Sequence, residues 1–428
     1  MAGQKRLSLW LLLSLWVSGI TWLYTQQILG PWSDTRDLEK NGIHAPLGDL
    51  YPRWVGAREA LLYGKNPYGP EVSGEIQTAF YGHVLTADDA ARGVVDQQRF
   101  AYPIYVVFLL APTIHMDFSR VYFMAPLILA LFTVIGVLFC LDLIEWRLPW
   151  QGTISLILFT LSSPQVQQGM RHQQLALVVA CLLFAGVWCV RKKHLATAGT
   201  LLALATIKPQ MALLPLIWLV LWSAGEWRTR WRLPAAVGVT MAALIGAGEF
   251  VLPGWLGYFF AGLGAYQKYF PTTSLLRLLL GDTFGNIISG GIITLLFIVG
   301  WRNRKEPAHS QRFISVFAAF LISAVVTFPL FTPFNQAMLI LPALLLLRDW
   351  KLFPKTAQLV FVSVVSWPWI VSAALLLSRP QLSVNRPWPL LPSLLVSFVP
   401  LVLPLLLFTR RESSSVSAED RWINAKRA

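Results

Sequence analysis

Long apolar stretches recur along the whole chain. A helix that spans a bilayer needs about 20 predominantly apolar residues, and about twelve segments approach that length. The chain is 55% hydrophobic and only 13% charged. Because a spanning segment must satisfy its backbone hydrogen bonds internally, these segments predict an all-α membrane protein. The predicted spans lie near residues 7–28, 119–142, 151–164, 173–190, 194–207, 210–224, 232–252, 284–301, 312–331, 335–348, 355–378 and 388–409.

The basic residues are gathered in clusters between the predicted spans. Cytoplasmic loops are enriched in Lys and Arg, so placing every cluster inside puts both termini in the cytoplasm of a cell (inner) membrane protein. The net charge of +14 is therefore explained by membrane topology. This distribution of charge argues against a nucleic-acid partner. The clusters are Arg191, Lys192 and Lys193; Arg228, Arg230 and Arg232; Arg302, Arg304 and Lys305; Arg348 and Lys351; and Arg410 and Arg411.

A long polar segment follows the first span, at about residues 29–118, and the topology makes it extracytoplasmic. Its apolar stretch YPIYVVFLLAP, Tyr102–Pro112, is too short to cross a bilayer and predicts a re-entrant or surface helix. The bundle itself is the domain. We therefore predict one polytopic domain over residues 1–409 and a cytoplasmic polar tail over 410–428.

Cofactor motifs are missing from the sequence. It has no GxGxxG or Walker loop to hold a nucleotide phosphate. Its six histidines form no pair with the spacing of metal ligands. The three cysteines, Cys140, Cys181 and Cys189, all fall in apolar runs and suggest no disulfide framework. We expect no cofactor, and any chemistry must come from acids, cations and amides.

The stretch GDLYPRWVGAREALLYGKNPYG, Gly48–Gly69, is the first candidate for such chemistry. Pro52 suits the first turn of a helix, and Trp54, Ala57 and Leu61 then share one face of an interfacial helix. Asp49 precedes this helix, where the helix dipole favours an ionised carboxylate that can accept a proton. The alternative is that Asp49 only caps the helix or pairs with Arg53.

Lys208 is the second candidate. It separates two apolar runs that the topology joins at the outer face, and Pro209 breaks the helix beside it. A charge at the membrane boundary that faces the bundle usually has a partner, and a lipid phosphate would be a natural one. The alternative is a lysine that snorkels to the interface.

A third group of candidates lies in the outer loop QVQQGMRHQQLA, Gln165–Ala176. Amides and a cation there suit sugar hydroxyls and phosphate, although they also occur in ordinary polar turns. The candidate substrate-binding residues are Arg171, His172 and Gln173 of this loop, Tyr51 and Arg53 of the first stretch, Tyr102, and the outer residues Lys208, Arg277, Asn335 and Gln336.

Taken together, these segments resemble the bacterial polyprenol-phosphate-mannose-dependent alpha-mannosyltransferase family, membrane glycosyltransferases of the GT-C superfamily. The resemblance covers most of the chain. The strongest similarity is to the family motif D…Y…A…LL.G..PY, at Asp49, Ala57, Leu61, Leu62, Gly64, Pro67 and Tyr68. Other similar segments are FAYPIYVVFLLAP, HQQLALVVACLLFAG, AGTLLALATIKPQMALLPL, TTSLLRLLLG and FTPFNQAMLILPALLLL.

The resemblance implies a GT-C-like bundle of about twelve transmembrane helices, in accord with the number of apolar segments. It also implies a polyprenyl-phosphate sugar donor, inverting transfer of a hexose such as mannose, and an extracytoplasmic active site with Asp49 as general base. Lys208 and Arg171 would meet the departing phosphate. The acceptor would be a hydroxyl of a glycan, a glycolipid or a protein.

Two alternatives stay open at the level of sequence. A multi-pass transporter or flippase of lipid-linked sugars would have a similar number of spans. Transporters, however, usually place ionisable residues near mid-membrane in repeated halves. Here the candidate site residues, such as Asp49 and Lys208, lie on the predicted outer face, and the halves do not match. A surface-polysaccharide polymerase or ligase would differ in its acceptor.

Overall fold

The computed structural model describes residues 2–45, 47–86, 88–89, 96–269, 273–330, 332–378, 382–394, 399–400 and 402–403. Within these ranges the regular structure is helical and includes no strand, which confirms the predicted all-α class. The helices up to the middle of the chain are α1 Ala2–Tyr24, α2 Gly30–Asn41, α3 Leu50–Tyr63, α4 Pro70–Tyr81, α5 Val106–Leu110, α6 Phe118–Leu143, α7 Trp150–Leu161, α8 Pro164–Arg171, α9 Ala176–Arg191 and α10 Leu195–Leu204. The remaining helices are α11 Pro209–Gly225, α12 Trp227–Arg230, α13 Arg232–Val251, α14 Trp255–Tyr269, α15 Leu275–Asn303, α16 Gln311–Thr327, α17 Ile340–Arg348, α18 Lys355–Ser378 and α19 Leu391–Leu394.

Many of these helices are apolar enough to lie in a bilayer. Six apolar helices of 10–17 residues overlie six of the predicted spans. The last predicted span, 388–409, and the polar tail, 410–428, lie largely or wholly outside the described residues, so the count of twelve stays a prediction. The helices long enough to cross a membrane are Leu7–Lys40, Phe118–Leu143, Arg232–Val251, Leu275–Asn303 and Lys355–Ser378.

The first span is longer than predicted. We expected it to end near residue 28, but a π-helical segment, Thr25–Leu29, joins α1 to α2 and carries the helix on to Asn41. Pro31 lacks an N–H, and here it follows a π turn that already interrupts the i→i+4 hydrogen bonds. Gly42 ends the helix with a left-handed φ of 67°. The long segment between the first two spans therefore begins about a dozen residues later than its sequence suggested.

The span predicted at 284–301 also has a different form. It is the second part of α15, which begins at Leu275 and bends at Gly281, where φ is 78°. Arg277 lies before the bend and pairs with Asp282 just after it, at 2.8 Å from Nε to Oδ1. The bend separates a short N-terminal turn from the longer apolar helix.

The helices between the first two spans pack into the protein. In α3, Trp54 and Ala57 are buried as expected, but Gly56 is buried as well because the Phe100 ring lies against it. Glu59 of α3 is also buried, and its carboxylate pairs with Arg58 at 3.0 Å and with Lys65 at 3.1 Å. The short α5, in which Val106, Val107 and Leu110 are buried, packs against α3 and holds it beside the bundle.

Candidate active site

The start of α3 is seated on the loop between α8 and α9. Gly48 has a φ of +71°, and a Cβ there would lie 3.3 Å from Gln173 Oε1. The Asp49 N–H donates to the His172 carbonyl oxygen at 3.0 Å. Two segments that are far apart in the sequence therefore meet at Asp49.

The Asp49 side chain does not cap α3. Asp49 occupies the N-cap position, but its carboxylate makes no capping hydrogen bond. Its Oδ2 instead accepts a hydrogen bond from the Gln174 amide, and the residue is half-buried. The capping alternative is therefore wrong for the side chain, and the carboxylate faces the α8–α9 loop.

Lys208 lies at the junction between two apolar helices. A 3₁₀ turn, Ala205–Ile207, precedes it, and Pro209 begins α11. Its ammonium donates to Gln174 Oε1 at 2.9 Å and to Asn335 Oδ1 at 2.7 Å. The side chain is only 5% exposed, which contradicts the snorkelling alternative. Lys208 points into the protein, toward the loop that carries the partner of Asp49.

Burial also changes the acidity of this lysine. Burial lowers the pKa of Lys208, the nearby Arg53 guanidinium lowers it too, and the Asp49 carboxylate opposes them, so that the pKa is about 7. Asn335 is held in turn by Thr332, whose Oγ1 accepts from Asn335 Nδ2 at 2.7 Å. Gln336 is buried in the same 3₁₀ segment, Pro333–Leu339. The lysine is thus a buried amine that can exist in either protonation state near neutral pH.

Arg53 is the second cation at this place. Its guanidinium donates to the Asp49 carbonyl oxygen and lies over the Tyr102 ring, 4.6 Å from its centroid. Tyr51 is directed instead into an aromatic cluster, 4.8 Å from Phe118 between ring centroids. Arg53 and Tyr102 are therefore brought to Asp49, whereas the Tyr51 ring serves packing.

Arg171 is engaged elsewhere. Its guanidinium donates to the carbonyl oxygens of Leu29 at 3.0 Å and Gly30 at 3.2 Å, and to Asp34 at 3.0 Å. These contacts tie the C-terminus of α8 to the junction between the π-helical segment and α2. Arg277 is likewise paired with Asp282, as described above. Both side chains have internal partners that the sequence did not predict.

The rest of the α8–α9 loop is more tightly built than a polar turn. Burial lowers the pKa of His172, and the Asp49 carboxylate opposes that change. Gln173 is buried, has a left-handed φ of 52°, and donates its amide to the Tyr122 carbonyl oxygen at 3.1 Å. Gln174, which we did not predict as a site residue, is the one that reaches both Asp49 and Lys208.

A second carboxyl lies near Asp49. Burial raises the pKa of Asp96, the Gln98 N–H opposes that rise, and the Asp49 carboxylate adds to it. The Tyr81 hydroxyl donates to the Asp96 carbonyl oxygen, and Gln77 Nε2 donates to the Gln97 carbonyl oxygen at 2.9 Å. Asp96 is one of many acids in the long segment after the first span, and no sequence motif distinguishes it as a site residue.

These groups form a compact set of a carboxylate, two cations and several amides. Such a set can take a proton from a hydroxyl and stabilise an anionic leaving group. Within the described residues, no group of three or more His, Cys, Asp and Glu side chains could hold a metal ion.

Comparison with known proteins identifies the family. The model of Glycosyltransferase family 87 matches residues 100–329, more than half of the 428-residue chain. The chain belongs to glycosyltransferase family 87. The predicted membrane glycosyltransferase is thereby confirmed, and the matched region includes Tyr102, Gln174 and Lys208. No curated protein and no solved structure matches the chain.

Proposed function

We propose that this family 87 glycosyltransferase moves a hexose from a polyprenyl-phosphate donor to a hydroxyl of a glycan, glycolipid or protein. The resemblance of its motifs favours mannose as the hexose. The observation that carries the proposal is the chain of hydrogen bonds from Lys208 through Gln174 to Asp49. It unites a proton acceptor and a buried cation, the two groups that such a transfer requires. The bundle over residues 1–409 would form a single catalytic domain.

The proposed reaction is a single inverting displacement. The acceptor oxygen attacks the anomeric carbon, a new glycosidic bond forms, and the bond from that carbon to the phosphate oxygen breaks. Asp49 takes the proton of the acceptor hydroxyl as general base. The polyprenyl phosphate departs with the bonding electron pair, and Lys208 and Arg53 stabilise its negative charge. Asp49 is half-buried and so can be reached by an acceptor.

A transfer assay tests the reaction. Membranes containing the protein should move radiolabelled mannose from polyprenyl-phosphate mannose to an endogenous acceptor and release polyprenyl phosphate. GDP-mannose, supplied while synthesis of the lipid donor is blocked, should give no labelled product. If the label moves from the nucleotide sugar alone, the proposed donor is wrong.

Side-specific labelling tests the proposed extracytoplasmic site. Thr78 is exposed on α4, and the three native cysteines are buried, so Thr78→Cys should be the main reactive thiol. An impermeant maleimide should label it in intact cells. Thr229→Cys, exposed beside the basic residues of α12, is the matched control and should react only after permeabilisation. The reverse pattern would place the site on the cytoplasmic side.

A further inference from the structure

Gln174 stands between the two charged groups of the candidate site. It is 4% exposed, and its backbone N–H donates to the Gly169 carbonyl oxygen at 2.8 Å, which closes the turn between α8 and α9. Its neighbour Gln173 has a left-handed backbone that non-glycine residues seldom adopt. The turn thus buries both amides and directs that of Gln174 toward Asp49 and Lys208.

The contacts of this amide allow only one orientation. A lysine ammonium can only donate hydrogen bonds, and an ionised carboxylate can only accept them. Gln174 Oε1 must therefore face Lys208, and Nε2 must face Asp49, as found. Rotating the amide by 180° would set donor against donor and acceptor against acceptor. The amide thus fixes the position of both charged groups at once.

Each charged group keeps capacity for a substrate. An ammonium has three donors, and Gln174 and Asn335 take two of them. The ammonium also lies over the Phe334 ring, 5.0 Å from its centroid. A bound phosphate oxygen would take the third donor. In Asp49 the amide engages Oδ2, which leaves Oδ1 to take the proton of the acceptor hydroxyl.

We propose that Gln174 is a positioning residue that fixes Asp49 and Lys208 relative to each other. Oδ1 of Asp49 is then the proton-accepting atom. This inference rests on the proposed function. The Gln174 amide touches no reacting atom and acts through the two groups that do. Because misplacing a catalytic group by about 1 Å can cost 10²-fold in rate, loss of this amide should lower turnover more than donor binding.

Two substitutions test the role. Gln174→Glu sets a second carboxylate beside Asp49, and like charges that share a site raise a carboxyl pKa. The acidic limb of the pH profile of kcat should then move up by about one pH unit or more. Gln174→Leu removes both hydrogen bonds without adding charge and should lower kcat by about 10²-fold with a smaller change in the donor KM.

Gln167→Glu is the matched control. Gln167 lies on α8 and its amide donates to the Leu161 carbonyl oxygen at 2.7 Å, so the substitution removes one structural hydrogen bond and adds the same charge. It should lower the melting temperature while the acidic limb stays in place. If folded Gln174→Glu keeps the wild-type pH profile, or Gln174→Leu keeps kcat within about twofold, the positioning role is overturned. A wild-type protein that fails to use the lipid donor would instead overturn the proposed function.

Discussion

Asp49→Asn should lower turnover by about two orders of magnitude or more while donor binding persists. Asparagine keeps the shape of the side chain, and its Oδ1 can still accept the hydrogen bond from Gln174. It cannot take a proton from the acceptor hydroxyl. Single-turnover transfer from polyprenyl-phosphate mannose, measured beside equilibrium binding of the same donor, separates the two effects.

Asp34→Asn is the control for this result. It removes a carboxylate that pairs with Arg171 at the junction of the first span, and it should leave turnover within about twofold of wild type. Asparagine also keeps an oxygen that can accept the Gln174 hydrogen bond, so a purely structural Asp49 would tolerate the change. Near-normal transfer by a folded Asp49→Asn protein would reject the general-base assignment.

The start of α3 could be predicted because its signals are local. Pro52 and the apolar spacing of Trp54 and Ala57 indicate a helix, and Asp49 stands just before it. The membrane helices were predictable for a similar reason, because the length of each apolar run can be read directly from the sequence. The end of the first span was missed because the π-helical segment at Thr25–Leu29 continues the helix into a polar sequence.

The partners of the polar side chains could not be predicted in the same way. The hydrogen bonds of Gln174 to Asp49 and of Lys208 to Asn335 join residues 125 and 127 positions apart. Which of the two glutamines contacts Asp49 and Lys208 depends on the left-handed backbone of Gln173. Residue type alone does not indicate that conformation. Arg171 was expected to meet a phosphate, but the carbonyl groups that engage it belong to the unpredicted continuation of the first helix.

Lys208→Met should raise the donor dissociation constant by roughly 10- to 100-fold. Methionine has a similar length but no charge, so the phosphate loses its buried cation. The wild-type protein should also bind the donor more weakly as the pH rises from 6 to 8. Because the pKa of Lys208 is about 7, the amine is protonated below that pH and neutral above it. Binding of the radiolabelled lipid in nanodiscs across this range gives both results, and the variant should show no such pH dependence.

Arg171→Met tests which of two cations, Arg171 or Lys208, binds the phosphate, since the sequence analysis predicted both. The guanidinium of Arg171 holds Leu29, Gly30 and Asp34, so its loss should lower the melting temperature and leave donor binding unchanged. Lys208→Met also leaves the oxygens of Gln174 and Asn335 without their donor, and some loss of stability is expected there too. The dissociation constant, measured on folded protein, is therefore the deciding quantity. If Arg171→Met weakens donor binding and Lys208→Met does not, the phosphate binds on the α8 side, and the pairing of Lys208 with the leaving group is wrong.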